Sequence, residues 1–122
     1  MHKLLAITLL LIGSAPSCTT IAIEPDAPVP TVSYQQDVAP IIAANCAQTG
    51  CHGPENAEGP NLLSYTALSG FVVPNKPHSS RLYNVIRLYD GSSVMPPKPN
   101  QPLSDVQLGQ IYVWISQGAT DN

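Results

Sequence analysis

The sequence predicts an all-α fold, a small domain of three to five helices joined by long loops. Apolar residues recur at helical spacing in several stretches, and serine caps, two with a glutamine three residues later, precede them. No stretch of the mature chain alternates convincingly as a strand. With 13 prolines and 8 glycines in 122 residues, much of the remaining chain is expected to form loops. We place the domain at residues 33–122.

The amino terminus has the features of an export signal. Residues 1–17 combine a positive start, an apolar run too short to span a membrane, and small residues before Cys18. This resembles a bacterial lipoprotein signal, although Ala15 stands where leucine is usual. We expect Cys18 to be the site of lipid attachment, with ordinary cleavage nearby as the alternative. Residues 18–32 would then be a Pro-rich tether, and the protein would lie in the periplasm or cell envelope.

The charge balance argues against nucleic-acid binding. From Cys18 onward the chain has eight acidic residues and four lysines or arginines, and the bases form no cluster in the sequence. Few aromatic residues are available, so the core that side chains alone can build looks thin for this length.

The first predicted helix begins at Ser33, which forms a capping-box pattern with Gln36. The apolar residues that follow at helical spacing are Tyr34, Val38, Ile41 and Ile42. Pro40 lies inside this pattern, so the helix either kinks there or begins anew with Pro40 in its first turn. In both cases Cys46 lies near the end of the helix.

Two shorter helices are predicted in the middle of the chain. One is a turn at Ser64–Leu68 that Gly70 closes, and the other is capped by Ser79 or Ser80 and stopped by Asp90–Gly91. The apolar set of the second is Leu82, Val85, Ile86 and Tyr89.

The last helix has the clearest signals. Ser104 and Gln107 form a capping box, Leu103 and Leu108 can form a hydrophobic staple, and Gly118 ends the helix. The predicted apolar face consists of Leu108, Ile111, Tyr112 and Ile115.

Cys46, Cys51 and His52 form a C-x4-C-H sequence with three chemical interpretations. A c-type haem needs two thiols and an adjacent imidazole, but the usual motif has two residues between the cysteines rather than four. Gly50 supplies a permissive backbone where the longer loop must return. A disulfide explains the cysteines but not the histidine. A zinc site would need His78 as the fourth ligand.

Met95 lies in a Pro-rich loop, "DGSSVMPPKPNQP", and is the only methionine left once the leader is removed. A thioether in a loop braced by prolines is either a packing residue or a metal ligand whose sulfur must be held in place.

Four segments together resemble the small monohaem cytochrome c domains of bacterial exported proteins, often found beside other domains in planctomycete and Bacteroidetes sequences. They are "YQQDVAPIIAANCAQTGCHG", "LLSYTALSG", "HSSRLYNVI" and "VMPPKPNQPLSDVQLGQIYVWISQGA". The resemblance covers roughly Ser33 to Asp121, and its most specific parts are C-H-G, M-P-P and the W-I-x-x-G-A ending.

The resemblance implies one covalent haem c, with long loops wrapped around it. Cys46 and Cys51 would be the thioether attachments, His52 the proximal ligand and Met95 the distal ligand, with His78 as the rival sixth ligand. It also implies that the last helix crosses the first and that this crossing buries Tyr34, Val38, Ile41, Leu108, Ile111 and Ile115. Trp114 is expected to pack in the core rather than to act in redox chemistry.

The function that follows is an exported electron carrier working with redox protein partners, rather than an enzyme. Two alternatives remain at this stage. A haem enzyme or gas sensor would leave the sixth position open or displaceable, to peroxide or small gases. A haem-free interaction module would use the cysteines as a disulfide.

Overall fold

The computed structural model describes residues 28–54, 59–87 and 94–122, and within them the secondary structure is entirely helical. A π-helical turn at Tyr34–Val38 leads directly into α1, Ala39–Asn45. The remaining elements are α2 at Tyr65–Ser69, a 3-10 turn at Pro77–Ser79, α3 at Arg81–Arg87 and α4 at Asp105–Ser116. The predicted all-α class is therefore confirmed. None of these helices is long and apolar enough to cross a membrane.

Several predicted features lie outside the described residues. They are the leader, Cys18 and the first part of the tether at the amino terminus, and also Tyr89 and the stop signal Asp90–Gly91, which follow in the sequence after Arg87.

Ser33 caps the first helical segment as predicted, but the reciprocal hydrogen bond of the capping box is made with a different residue. The Ser33 hydroxyl accepts a hydrogen bond from the Gln36 backbone N–H at 3.1 Å. The Ser33 backbone N–H donates to the Asp37 carboxylate at 2.8 Å, instead of to the side chain of Gln36. The cap is therefore in the predicted place, with Asp37 replacing Gln36 as the reciprocal acceptor.

Pro40 accounts for the unusual first turn. In a regular helix its nitrogen would donate to the carbonyl of Gln36, but proline has no N–H and its ring crowds that carbonyl. The preceding N–H groups instead bond five residues back: Val38 to Ser33 at 3.2 Å, and Ala39 to Tyr34. The α-helix then begins anew with Pro40 in its first turn, which is one of the two predicted outcomes.

The caps of α2 and α3 are only partly as predicted. Ser64 caps α2 through its hydroxyl, which accepts from the Ala67 N–H at 3.2 Å, and Gly70 follows the helix with a right-handed φ of −60°. Ser80 directly precedes α3, but its buried hydroxyl donates to the Lys76 carbonyl at 2.9 Å and accepts from the Val73 N–H at 2.9 Å. The Ser80 hydroxyl therefore ties down the preceding loop and does not cap the helix.

The capping box of α4 is confirmed, but its predicted apolar face is wrong at one position. The Gln107 N–H donates to the Ser104 hydroxyl, and the Ser104 N–H donates to the Gln107 side chain at 2.9 Å. Tyr112 is 36% exposed, whereas Trp114 is 1% exposed. A tyrosine can lie at the edge of the apolar face with its hydroxyl in water, so helical spacing alone could not show whether Tyr112 is buried or exposed.

The core lies between α4 and the first helical segment. Trp114 contacts the rings of Tyr34 and Tyr65, with centroids 5.7 and 6.5 Å away, and its indole N–H donates to the Thr120 carbonyl at 2.9 Å. The residues predicted to be buried at this crossing are buried, except that Leu108 is only partly covered. The expectation that Trp114 packs in the core is confirmed.

The amino-terminal end of the domain is held by residues from the other end of the chain. The Gln117 amide accepts from the Val32 N–H at 2.9 Å and donates to the Pro30 carbonyl at 3.0 Å. The Asn122 side chain accepts from the Tyr34 N–H at 2.8 Å. These bonds fix the start of the segment whose other end carries Cys46.

Candidate functional site

The C-x4-C-H loop begins where α1 ends. Cys46 follows Asn45, and its N–H still donates to the Ile42 carbonyl at 2.9 Å. The chain then turns through Gly50, which has a φ of +82°, and the His52 N–H returns to the Cys46 carbonyl at 3.1 Å. The loop is therefore closed on itself by backbone hydrogen bonds, and Gly50 serves as the permissive residue that the sequence predicted.

Gly53, directly after the histidine, lies against the backbone of the same loop. A Cβ added there would lie 2.8 Å from the carbonyl oxygens of both Ala47 and Gln48. The Gly53 N–H also donates to the Gln48 carbonyl at 3.1 Å. Any side chain at this position would push the loop open, which explains the glycine in the C-H-G sequence.

The two cysteines are unpaired thiols rather than a disulfide. Cys46 is 9% exposed and Cys51 is half-buried. Burial, with a smaller contribution from the nearby Cys51, raises the pKa of the Cys46 thiol to about 11. Both sulfurs are thus available for bonding to a further group, and that of Cys46 is a neutral thiol at physiological pH.

The ring of His52 is oriented by a backbone carbonyl. Its Nδ1 atom lies 2.9 Å from the carbonyl oxygen of Pro60. A carbonyl oxygen can only accept a hydrogen bond, so Nδ1 must carry the proton, and Nε2 of the neutral ring keeps a free lone pair. This arrangement is typical of metal-binding histidines, in which a bond from the second nitrogen fixes both tautomer and ring direction.

Gly59 packs directly against the same ring. A Cβ built on Gly59 would lie 2.5 Å from Cε1 and 2.7 Å from Nδ1 of His52, but 3.6 Å from Nε2. The Leu62 N–H donates to the His52 carbonyl at 3.0 Å, so the returning chain is also held to the backbone of the histidine. Together Gly59 and Pro60 form a close-fitting support for the Nδ1 side of the ring.

Met95 is half-buried. Its side chain contacts the buried core, of which Cys46 and Leu62 are members. Its backbone N–H donates to the Val85 carbonyl of α3 at 2.8 Å. The thioether is thus supported by α3 as well as by the prolines that follow it.

His78 lies in a different environment. Its exposed ring makes edge contacts with Tyr83 and Tyr112, with centroids 5.6 and 5.7 Å away. Among the described residues, no three His, Cys, Asp or Glu side chains converge to hold a metal ion. The zinc set that would have combined Cys46, Cys51, His52 and His78 is therefore not formed.

The donors that the structure provides fit a haem c: two unpaired thiols in one short loop, an imidazole with Nε2 free, and a supported thioether. The sequence did not predict the support of the ring. The only sequence signal for this support was the Gly59–Pro60 pair in a polar loop, with Pro60 eight residues after the histidine.

Comparison with known proteins gives one positive finding. No curated protein matches this chain, and no solved structure matches it. The family model of the planctomycete cytochrome C matches residues 49–99, a segment that includes Cys51, His52 and Met95 and begins just after Cys46. Domains of this family are typically exported. The match covers less than half of the chain, and it supports the c-type cytochrome domain that the resemblance predicted.

Proposed function

We propose that the protein is an exported electron carrier with one haem c, attached through Cys46 and Cys51 and ligated by His52 and Met95. The observation that carries this proposal most directly is the bond between His52 Nδ1 and the Pro60 carbonyl at 2.9 Å. It leaves Nε2 as the only ring nitrogen able to bind iron. The family match, which covers His52 and Met95, supports the same assignment.

The two cysteines would hold the cofactor permanently. Each S–H adds across a vinyl C=C bond: the sulfur bonds to one carbon, the hydrogen ends on the other, and nothing is oxidised or reduced. This reaction needs free thiols, and both Cys46 and Cys51 are free.

The axial residues would set the redox properties. When bound, haem supplies a single-electron couple at its iron. The Pro60 carbonyl increases the electron donation of His52 through the Nδ1–H bond, and Met95 would favour a higher potential than a second histidine would. Because α3 and the following prolines support Met95, we expect the sulfur to move little between the two oxidation states.

Met95 is a better candidate than His78 for the second axial position. The methionine packs against the core that contains Cys46, whereas the histidine is exposed and engaged with Tyr83 and Tyr112.

The setting of this carrier would be the cell envelope. We propose that a lipid on Cys18 tethers the domain through the Pro-rich segment, and that its partners are other redox proteins in the same compartment. An accumulation of prolines before the domain is consistent with a semi-rigid spacer.

A carbon monoxide titration of the reduced protein distinguishes a carrier from a gas sensor or haem enzyme. A carrier with both axial positions filled should bind no carbon monoxide, while a Met95→Ala variant, with one position open, should bind it readily. A His78→Asn variant is the matched control and should behave like the wild type. Ready binding by the wild type would favour the sensor or enzyme, and an inert Met95→Ala variant would show that Met95 is not the ligand.

A further inference from the structure

The loop between the two cysteines contains a reverse turn. The Cys51 N–H donates to the Gln48 carbonyl at 3.0 Å, three residues back, which is the hydrogen bond of a β-turn. Gly50, the third residue of this turn, has a φ of +82°, which is the backbone that a type II turn requires there. The two central residues, Thr49 and Gly50, are exposed, and nothing lies within 4 Å of a Cβ added at Gly50. We call Thr49 and Gly50 the tip residues; they lie outside the packed part of the loop.

The two residues before the tip are held against the first helix. Ala47 is 8% exposed, and its N–H donates to the Ile42 carbonyl at 2.9 Å. The Gln48 side-chain amide donates at 2.6 Å to the carbonyl of Ala44, one of the last four carbonyls of α1, which a helix leaves without a partner of its own. The Gln48 carbonyl also accepts from the Gly53 N–H at 3.1 Å. These two residues therefore belong to the packed structure, in contrast to the tip residues.

The hydrogen bonds across the loop become those of a helical turn when the tip residues are left out of the count. The His52 N–H donates to the Cys46 carbonyl at 3.1 Å, six residues back in the sequence. Without the tip residues, the same bond spans four residues, which is the α-helical spacing. The bond from the Gly53 N–H to the Gln48 carbonyl would likewise span three residues, the 3-10 spacing that is frequent at helix ends.

This arrangement suits the two thiols to a single haem. Residues three apart in a helix are neighbours on one face, and Cys46 and Cys51 are three apart once the tip residues are left out. Attachment needs both sulfurs on one side of the porphyrin. Each S–H adds across one vinyl C=C bond, with sulfur on one carbon and hydrogen on the other, so the step needs no oxidant or reductant.

We propose that the tip residues are a two-residue insertion in an ordinary C-x2-C-H motif, whose two middle residues are Ala47 and Gln48. By turning the chain back, Gly50 positions Cys51 and His52 for covalent haem attachment. The proposal rests on the proposed function, because it concerns how the same haem is bound. It accounts for the two additional residues between the cysteines without requiring a different attachment geometry.

Two deletions of equal size test which residues are the insertion. A variant without Thr49 and Gly50 and a control without Ala47 and Gln48 both have C-x2-C-H spacing, and both are made as full-length chains exported from a host that attaches haem. Intact mass and the pyridine haemochrome spectrum of the first variant should show one haem with two thioethers, as in the wild type. Its urea midpoint should match that of the wild type. The control should have a lower midpoint, because it loses a buried residue and the carbonyl that accepts two hydrogen bonds.

Substitutions at Gly50 test its positioning role separately. Valine disfavours a positive φ, so Gly50→Val should reduce the hydrogen-exchange protection of the Cys51 and Gly53 amides about five- to thirty-fold. The α band of its pyridine haemochrome should move to longer wavelength, as it does when one vinyl group stays unbonded. Gly50→Asn is the conservative variant and should keep the wild-type band and most of the protection, because asparagine tolerates left-handed backbone. Either side chain has room, so a steric clash plays no part.

The contrary results separate this proposal from the proposed function. If the wild type carries two thioethers and the variant without the tip residues carries none or one, the insertion is refuted. Equal urea midpoints of the two deletion variants would also refute it, and wild-type exchange and a wild-type α band in Gly50→Val would overturn the positioning role of Gly50. A wild-type chain without haem would refute the proposed function instead. The midpoints and exchange rates of the haem-free chains would then still decide whether the tip residues are the insertion.

Discussion

Gly59→Ala is the substitution that most directly probes the support of the His52 ring. The backbone of Gly59 is not in the left-handed region, so alanine can adopt it without strain. The added Cβ, however, would lie 2.5 Å from Cε1 and 2.7 Å from Nδ1 of His52. Ordinary carbon contacts need about 3.5 Å or more, so the ring must retreat by about 1 Å.

That displacement has two costs. Overpacking by one methyl group costs about 1–3 kcal/mol, and a retreating ring would also stretch or lose the 2.9 Å bond from Nδ1 to the Pro60 carbonyl, at about 1 kcal/mol. We therefore expect the haem-bearing protein to lose about 2–4 kcal/mol of unfolding free energy in a urea titration. Its haem absorption spectrum should change as well, because the same ring is the proposed ligand.

Gly109→Ala is the matched control. Nothing lies within 4 Å of a Cβ at Gly109, which is inside α4, so the same change should stabilise the protein by about 0.5–1 kcal/mol. If Gly59→Ala unfolds at the wild-type urea concentration and keeps the wild-type spectrum, the close packing of Gly59 on His52 is wrong.

Three further predictions concern the rest of the domain. Burial favours the neutral Cys46 thiol and raises its pKa to about 11. Before haem attachment, the urea midpoint of unfolding should therefore fall as the pH rises from about 9 to 11, and Cys46→Ala should remove that fall. A wild-type midpoint that does not change over this pH range would contradict this. Trp114→Phe removes the donor to the Thr120 carbonyl and leaves a void, so calorimetry should show that the unfolding free energy falls by about 2–3 kcal/mol. A decrease below about 0.5 kcal/mol would argue against a buried indole. Ser80→Ala should lower the unfolding free energy by about 1–3 kcal/mol, because the buried Ser80 hydroxyl forms hydrogen bonds with the preceding loop. Ser79 is exposed, so Ser79→Ala serves as the control. Equal denaturation curves for the two variants would refute the role of the Ser80 hydroxyl.

The helix starts were predictable because capping is a local interaction. Ser33, Ser64 and Ser104 each accept a hydrogen bond from the N–H three residues later, and this depends on a few neighbouring residues only. Ser80 shows the limit of that reasoning. Its hydroxyl has better partners in a loop that tertiary folding brings against it, and no local pattern contains that information.

The candidate site was partly predictable for the same reason. Cys46, Cys51 and His52 lie within seven residues, so the sequence could group them as one site, and the resemblance to cytochrome c domains then favoured haem over a disulfide or zinc. The carbonyl of Pro60 is a backbone group that any residue could supply, and its role became visible only when the loop was seen to return to the His52 ring. Likewise, the spacing that put Tyr112 on the apolar face of α4 could not show that its neighbours at the surface are His78 and Tyr83.

The central claim is that haem is covalently bound to this chain through the C-x4-C-H loop. The most direct test is intact-mass measurement with a pyridine haemochrome spectrum, on protein exported from a host that performs haem attachment. We predict the mass of one haem on the mature wild-type chain, with colour that survives acid–acetone extraction, and loss of this covalent haem in a Cys46→Ala/Cys51→Ala variant. A wild-type chain without haem mass, or a double variant that keeps bound colour through extraction, would contradict the claim.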